Sequence, residues 1–293
     1  RFQAPFIPGF DGIGEIVALG KDVTGWRVGE RVAAYTQTGS YAEYATANPA
    51  LCFRWPKSRP WIEGVGVGTL ITAYHALTLA GQLQSTHHVM IHSAAGGVGS
   101  LALQIASAYQ CPTIVASLGH ITSEREAFCR TQGATHVCTS PHANDLPTTL
   151  DRPQGWDRIL NTLGGYTLQH DLKYLAPFGR VVTCGHSLGI AGEISSAQLH
   201  RHNQSVVGYS SGGYRKHDPK HFQIMGQDAL NFFTQHQLSI PIYTTFPLAQ
   251  ASKAHTLMEQ RQHCGKIVLR MHTEVNTSSN ASCTTRATQQ KDT

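Results

Sequence analysis

The sequence contains no stretch of eighteen apolar residues, so no membrane span is expected. No signal peptide opens it. It also lacks any run of five or more basic residues; the net charge of +5 is spread along the chain, and nucleic acid is not the partner to expect. Such a mild positive bias suits an anionic, phosphate-bearing ligand instead. Cysteine is sparse and odd in number: Cys52, Cys111, Cys129, Cys138, Cys184, Cys264 and Cys283 form no CxxC pair, which reads as reduced core thiols in a cytoplasmic protein. The glycosylation-type triplets at Asn203, Asn276 and Asn280 then read as chance. A zinc site needs three or four converging ligands. The 17 histidines supply no such set: Pro219 lies between His217 and His221, no HExxH occurs, and His87-His88 and His200/His202 read as exposed turn residues. No Ser-His-Asp arrangement is apparent either. No metal is expected.

What is present is a chain of 293 residues with 41% hydrophobic residues and 28 glycines, enough for two lobes. Residues 12–60 read as β, with strands at Ile13–Leu19, Arg31–Tyr35 and Tyr41–Ala47 between turn residues. A helix is expected over Ile62–Ala80, weakened at its start by glycine. Strands then alternate with helices. The strands are Val89–His92, Thr113–Ser117, His136–Cys138, Arg158–Asn161, Arg180–Thr183 and Val206–Gly208; the helices are Val98–Tyr109, Ser123–Thr131 with Ser123 as N-cap, Tyr166–Leu175 and Pro219–His236. This alternation predicts an α/β, doubly wound parallel sheet. Tyr243–Phe246 (strand), Leu248–Gln260 (helix) and Lys266–Leu269 (strand) return to mixed character. From His272 on the chain is too polar to offset its ordering entropy and is expected to be disordered. The start at Arg1, running at once into Pro5-Phe6-Ile7-Pro8-Gly9, reads as that of a fragment.

The segment that carries chemistry is Val89-Met90-Ile91-His92-Ser93-Ala94-Ala95-Gly96-Gly97-Val98-Gly99, where a short apolar strand opens a helix through small residues. Amides at a helix start are unsatisfied and carry partial positive charge. A pyrophosphate can rest on them only if side chains leave room, and Gly99 lets the helix lie close to the sheet. Ser93 stands where a G-x-x-G-x-x-G spacing has its first glycine, so the run is not a strict fingerprint. The strand–turn–helix–strand context nevertheless favours a dinucleotide over an empty tight turn. An NAD site wants an acid at the end of the second strand, but here the sequence reads Ala116-Ser117-Leu118-Gly119-His120. Ser123 and Arg125 follow, a hydroxyl and a guanidinium suited to a 2′-phosphate, so NADPH is the expected cofactor. The competing reading pairs Arg125 with Glu124 or Glu126 on a solvated helix.

The order of further motifs resembles the medium-chain dehydrogenase/reductase superfamily. Pro8 to Gly20 looks like its N-terminal signature, Val28-Gly29-Glu30-Arg31-Val32 like its VGDRV entry, Ser40-Tyr41-Ala42-Glu43-Tyr44 like GxYAEY, and Thr72-Ala73-Tyr74-His75-Ala76-Leu77 like TAYxAL. Ala94–Gly99 reproduces the AAGGVG turn of the zinc-free quinone oxidoreductases. Leu160 to Gly165, Gly179-Arg180-Val181-Val182 and Gly265 to Leu269 follow in the family's order, so the match runs over roughly residues 5–270.

The resemblance implies a partial GroES-like lobe over 1–62, a Rossmann domain over 63–238, a return to the first lobe over 239–271 and a disordered tail over 272–293. About fifty residues of the family's first lobe are expected to be missing. It further implies that Thr69 and Thr72 lie near the nicotinamide, that Ala95, Gly96, Gly97, Val98 and Gly99 face the pyrophosphate, and that Ser123 and Arg125 flank the 2′-phosphate. Asn161 and Gly185 to Ser187 would line the cofactor, with Tyr209 to Gly213 and Lys266 near the cleft. The implied activity is hydride transfer from NADPH to a small quinone or α,β-unsaturated carbonyl without zinc, by a homodimer joined through its Rossmann sheets. Thr69, Thr72 and Tyr209 are the candidates for polarising the carbonyl. Asp11 reads either as a carboxylate in the cleft or as a turn residue bonded to backbone. A polyketide-synthase-type enoyl reductase, which Ala176-Pro177-Phe178-Gly179-Arg180 also resembles, and an inactive NADPH-binding relative are the alternatives.

Overall fold

Three strands, β1 (Asp11–Glu15), β2 (Arg31–Tyr35) and β3 (Cys52–Arg54), form an antiparallel sheet in the order β1-β2-β3. The computed structural model describes residues 4–36, 38–139 and 155–271. The strand expected at Ile13–Leu19 begins earlier and stops at Glu15, and Val17 and Leu19 are exposed beyond it. The expected strand Tyr41–Ala47 is not formed. The Tyr41 N–H is committed to the Pro8 carbonyl at 3.0 Å, so this segment packs on the entry to β1 and joins no sheet.

The single helix expected over Ile62–Ala80 is divided. A 3₁₀ segment, Trp61–Gly66, enters α1 (Val67–His75), and a π turn over Ala76–Ala80 ends it, with the Gly81 N–H reaching the Ala76 carbonyl at 2.9 Å. The parallel sheet follows: β4 (His88–His92), α2 (Gly97–Ala108), β5 (Thr113–Ser117), α3 (Ser123–Thr131), β6 (His136–Cys138), β7 (Trp156–Asn161), α4 (Tyr166–Lys173), β8 (Leu175–Thr183), α5 (Ser196–His202) and β9 (Ser205–Gly208). Then come α6 (Ser211–His217), α7 (Pro219–Gln235), β10 (Ile242–Pro247), α8 (Ala251–Glu259) and β11 (Lys266–Arg270), with β10 and β11 paired in parallel. Helix α4 ends two residues before Leu175, where β8 already begins, earlier than the Arg180 start expected. The tail from His272 lies outside the described residues.

The sheet order is β6-β5-β4-β7-β8-β9, and β4 pairs in parallel with both β5 and β7. The strand order therefore reverses at β4, and the crevice beyond its carboxyl end is where such sheets take ligands. Side chains alternate between the two faces. Val89 and Ile91 join the core under α1, α2 and α7, while Met90 joins Ile159, Leu168 and Leu172 under α4. Helix α7 also carries the first sheet: Phe222 meets the Tyr35 and Phe53 rings edge-on at 5.7 and 6.3 Å. Among the described residues no helix is long and apolar enough to cross a membrane.

Candidate active site

The mouth of α2 is built by close approach. After β4, Ser93 takes a left-handed conformation (φ 50°), which accounts for the glycine usual at that spacing, and the Gly96 N–H closes the turn on the Ser93 carbonyl at 2.9 Å. Gly96 is the N-cap and brings no capping side chain, and the first turn holds no acid. The leading amides of α2 thus form an uncapped positive end. A Cβ on Gly99 would stand 2.4 Å from the Ser93 carbonyl oxygen and 2.6 Å from Ala94 Cα, so only glycine fits there. Ala94 and Ala95 are fully buried, and Val98 packs against the same core. At Gly97 a Cβ would meet Lys266 Cδ at 3.0 Å and Thr69 Cγ2 at 3.3 Å, so these two side chains wall the mouth. The Gly265 N–H bonds the Ala95 carbonyl at 2.7 Å and pins the entry of β11 beside it.

The other end of the crevice is basic. No acid follows β5. Thr122 caps α3, not Ser123: its backbone is extended and its hydroxyl accepts the Arg125 N–H, while Ser123 is the exposed first residue of the helix. Arg125 is not the partner of Glu126, which takes Arg130 at 2.9 Å. The guanidinium instead reaches the Cys264 thiol, and its buried Nε has no hydrogen-bond partner. His263 lies alongside with an equally orphaned Nδ1; burial, then the nearby Arg125 charge, holds its pKa below the ordinary value. A guanidinium with an idle, buried N–H fits a phosphate group.

Between the first sheet and the parallel sheet lies a polar cleft. Lys266 Nζ donates to Thr69 Oγ1 at 3.1 Å and stands 4.0 Å from Asp11 Oδ2. Thr72 donates to the Gly68 carbonyl and lies 2.9 Å from Ser211 Oγ, which also bonds Tyr35. Arg215 covers the Tyr35 ring at 4.4 Å and donates to the Thr36 carbonyl at 2.8 Å. Burial pushes the Asp11 carboxyl above the ordinary carboxylate range, against the opposing pull of Lys266 and Arg215. Asp11 is thus a cleft carboxyl and not a turn residue.

Two expected positions are used otherwise. Asn161 is fully buried and spent: Oδ1 accepts the Leu163 and Gly164 N–H groups at 2.9 Å each, and Nδ2 donates to Thr167 and Asp171. Its side chain shapes the turn after β7 and does not face a cofactor. Tyr209 is 7% exposed, its hydroxyl is buried without a partner, and burial weakens it strongly as an acid. It lines the floor of the cleft and presents no hydroxyl to it. Gly185 sits in a left-handed loop (φ 99°) beside that turn, where the Ser187 N–H bonds the Thr162 carbonyl at 3.1 Å. Of the residues bringing charge to the cleft, sequence reading missed Arg215, and beside Arg125 it missed His263. Neither lies in a motif; only the fold brings them in. Among the described residues no group of three or more His, Cys, Asp or Glu could hold a metal ion.

The chain is similar to known proteins over most of its length. Residues 1–78 match the alcohol dehydrogenase GroES-like domain and residues 132–269 match a domain described as zinc-binding dehydrogenase. The synaptic vesicle membrane protein VAT-1 homolog of Rattus norvegicus is 26% identical over 284 residues, 90% of this chain and 69% of that protein. Quinone oxidoreductase of Homo sapiens is 28% identical over 90% of this chain and 80% of its own length. The quinone oxidoreductase of Thermus thermophilus, whose structures include a complex with NADPH, superposes with a TM-score of 0.75 at 26% identity, covering 92% of this chain and 83% of that one. With an N-terminal GroES-like match, a six-stranded Rossmann sheet and the AAGGVG turn at its reversal point, the chain belongs to the quinone oxidoreductase-like family of medium-chain dehydrogenases/reductases.

Proposed function

We propose that this chain is an NADPH-dependent oxidoreductase that reduces a small quinone or α,β-unsaturated carbonyl without zinc. The observation that carries the reading is the pairing of an uncapped α2 mouth with Arg125, whose buried Nε is idle where an NAD site would place an acid. The residues present fit the cofactor. The leading amides of α2, from Gly97, Val98 and Gly99, would hold the pyrophosphate with Ala95 and Gly96 leaving it room; Arg125 and Ser123 would hold the 2′-phosphate; Lys266 and Thr69 would border the passage to the cleft, beside the Gly185 loop. NADPH, when bound, supplies a hydride. The protein's part is to orient the acceptor, exclude water and supply hydrogen bonds to the acceptor's oxygen. Thr69 and Lys266 face that space, while Thr72 orders Ser211 and Tyr35.

Calorimetric titration tests the cofactor half. Arg125→Ala should weaken NADPH binding by about 10- to 100-fold, the range of a lost charge-assisted hydrogen bond or two, and leave NADH affinity nearly unchanged. An equal loss for both cofactors would remove the 2′-phosphate from Arg125. Turnover is measured as NADPH oxidation with 9,10-phenanthrenequinone and with a simple enone. Dialysis against a chelator is expected to leave that rate unchanged, and a rate restored only by zinc would overturn the metal-free reading. Tight NADPH binding with no oxidation by either acceptor would mark a non-catalytic cofactor-binding protein.

Two further features fit this proposal. Among the described residues strand β9 pairs only with β8 and presents an edge through which two sheets would join in a homodimer. The six described cysteines are mostly buried, which suits a reducing, cytoplasmic setting.

A further inference from the structure

We propose that Asp11 is the proton donor of the cleft. The inference rests on the oxidoreductase reading and names the group that reading leaves open. Hydride added to the carbon β to a carbonyl leaves an enolate, which must gain one proton at its α-carbon or oxygen. The balance is enone plus NADPH plus H⁺ giving the saturated carbonyl plus NADP⁺; a quinone takes the same hydride and proton to become the hydroquinone.

The groups facing Asp11 come from four elements: Lys266 from β11, Arg215 from α6, Tyr35 from β2, and Gly68 and Thr69 from α1. Most are occupied or poor donors. Lys266 is turned to Thr69 Oγ1, and Arg215 is held on the Thr36 carbonyl and over the Tyr35 ring. A guanidinium does not give up its proton in a protein. Tyr35 is bonded to Ser211, and burial together with the Asp11 charge makes it a weaker acid than a free phenol. Tyr209 is sealed below the cleft.

Asp11 differs from Lys266, Arg215 and Tyr35 in having an unengaged polar atom, and from Tyr209 in keeping part of its side chain exposed. Its Oδ1 is buried and has no hydrogen-bond partner, an arrangement that folded proteins rarely leave without use. Gly68 lets α1 lie directly against that oxygen: a Cβ there would stand 2.4 Å from Oδ1 and 2.6 Å from the Tyr35 ring. The side chain keeps 23% exposure, enough for water to return the proton after each turnover. Burial raises the carboxyl above the ordinary carboxylate value, which favours the protonated form that can donate.

The test is Asp11→Asn, which keeps the size and removes the proton. NADPH affinity, measured by titration, should stay within about twofold of wild type, showing that the variant is folded and loaded. With an enone acceptor kcat should fall by about 100-fold or more, the scale of general-acid catalysis. The wild-type kcat should decline as pH rises through the Asp11 pKa, because only the protonated carboxyl donates, and Asp11→Asn should lose that alkaline limb. Tyr35→Phe should retain it. In cofactor-free protein, the infrared band of a protonated carboxylic acid should titrate in wild type and be missing from Asp11→Asn. An active wild type matched by Asp11→Asn in rate and pH profile, or a limb abolished by Tyr35→Phe instead, overturns the assignment to Asp11 alone. A wild type inactive with both acceptors sinks the oxidoreductase reading and this proposal together.

Discussion

Gly99→Ala should destabilise the fold by about 1–3 kcal/mol, the usual range for an overpacked site, and weaken NADPH binding by more than tenfold. The added methyl carbon would meet Ser93 O at 2.4 Å and Ala94 Cα at 2.6 Å. Both are backbone atoms of the turn that leaves β4, and neither can rotate away. Helix α2 must shift off the strand, and the amides at its start shift with it. Gly97→Ala makes the contrast. Its Cβ would meet only the tip of Thr69 at 3.3 Å and the Lys266 stem at 3.0 Å, and a lysine chain can swing aside. The melting temperature should therefore stay near wild type, while the methyl group enters the passage between Lys266 and Thr69 and the cofactor still binds less well. Thermal denaturation and calorimetric titration on the two variants separate packing from ligand contact. NADPH bound to Gly99→Ala as tightly as to wild type would show that the α2 mouth is not its pyrophosphate site.

That contrast also shows what the sequence could and could not disclose. Apolar strands alternating with helices announced the parallel sheet, because each strand buried on both faces must be apolar throughout. The small residues from Ala94 to Gly99 announced the mouth, since only bulk would spoil it. Elements specified by distant contacts escaped. Tyr41-Ala42-Glu43-Tyr44 alternates like a strand, yet its backbone is claimed by Pro8, so no sheet edge receives it. In β8 Phe178 adopts a left-handed conformation (φ 62°), yet the strand pairs with β7 on both sides of it, so the start expected at Arg180 falls inside the strand. Helices α5 and α6 are seven residues each and mostly polar, too short for a clear period.

At the site, the missing acid after β5 could be read directly from the sequence and drew attention to Arg125, because an absence in sequence is an absence in the structure. Direction was not legible. Asn161 and Tyr209 lie near the strand ends as expected, but the turn after β7 consumes the amide and the core takes the phenol. Position along a strand fixes which crevice a residue approaches. The hydrogen bonds of the neighbouring turn decide whether its polar atoms arrive free.

Asp171→Ala is expected to show the largest loss of stability, about 3–5 kcal/mol, the range for removing one partner of a buried pair. Asp171 on α4 and His92 at the end of β4 are both fully buried, with Oδ1 and Nε2 2.7 Å apart. The other carboxylate oxygen accepts Asn161 Nδ2 at 2.5 Å. His92 Nδ1 already lacks a partner, so removal of Asp171 would leave the imidazole with no hydrogen bond at all in an apolar interior. It would also release one restraint on Asn161, which holds the Leu163–Gly164 turn. The pair thus braces two strands that meet at the crevice, β4 ahead of the Ser93 turn and β7 ahead of its own. Urea denaturation should show a lower midpoint with an unchanged slope. Asp171→Asn keeps one acceptor oxygen for His92 or Asn161 but not both, and should fall between wild type and alanine. NADPH affinity should drop in the same order by a smaller factor, since the amides of α2 are displaced and not removed. A loss below about 1 kcal/mol for Asp171→Ala, the scale of a solvent-exposed pair, would mean that water or a side-chain shift satisfies His92 and that the brace is not what holds β4 in register with α4.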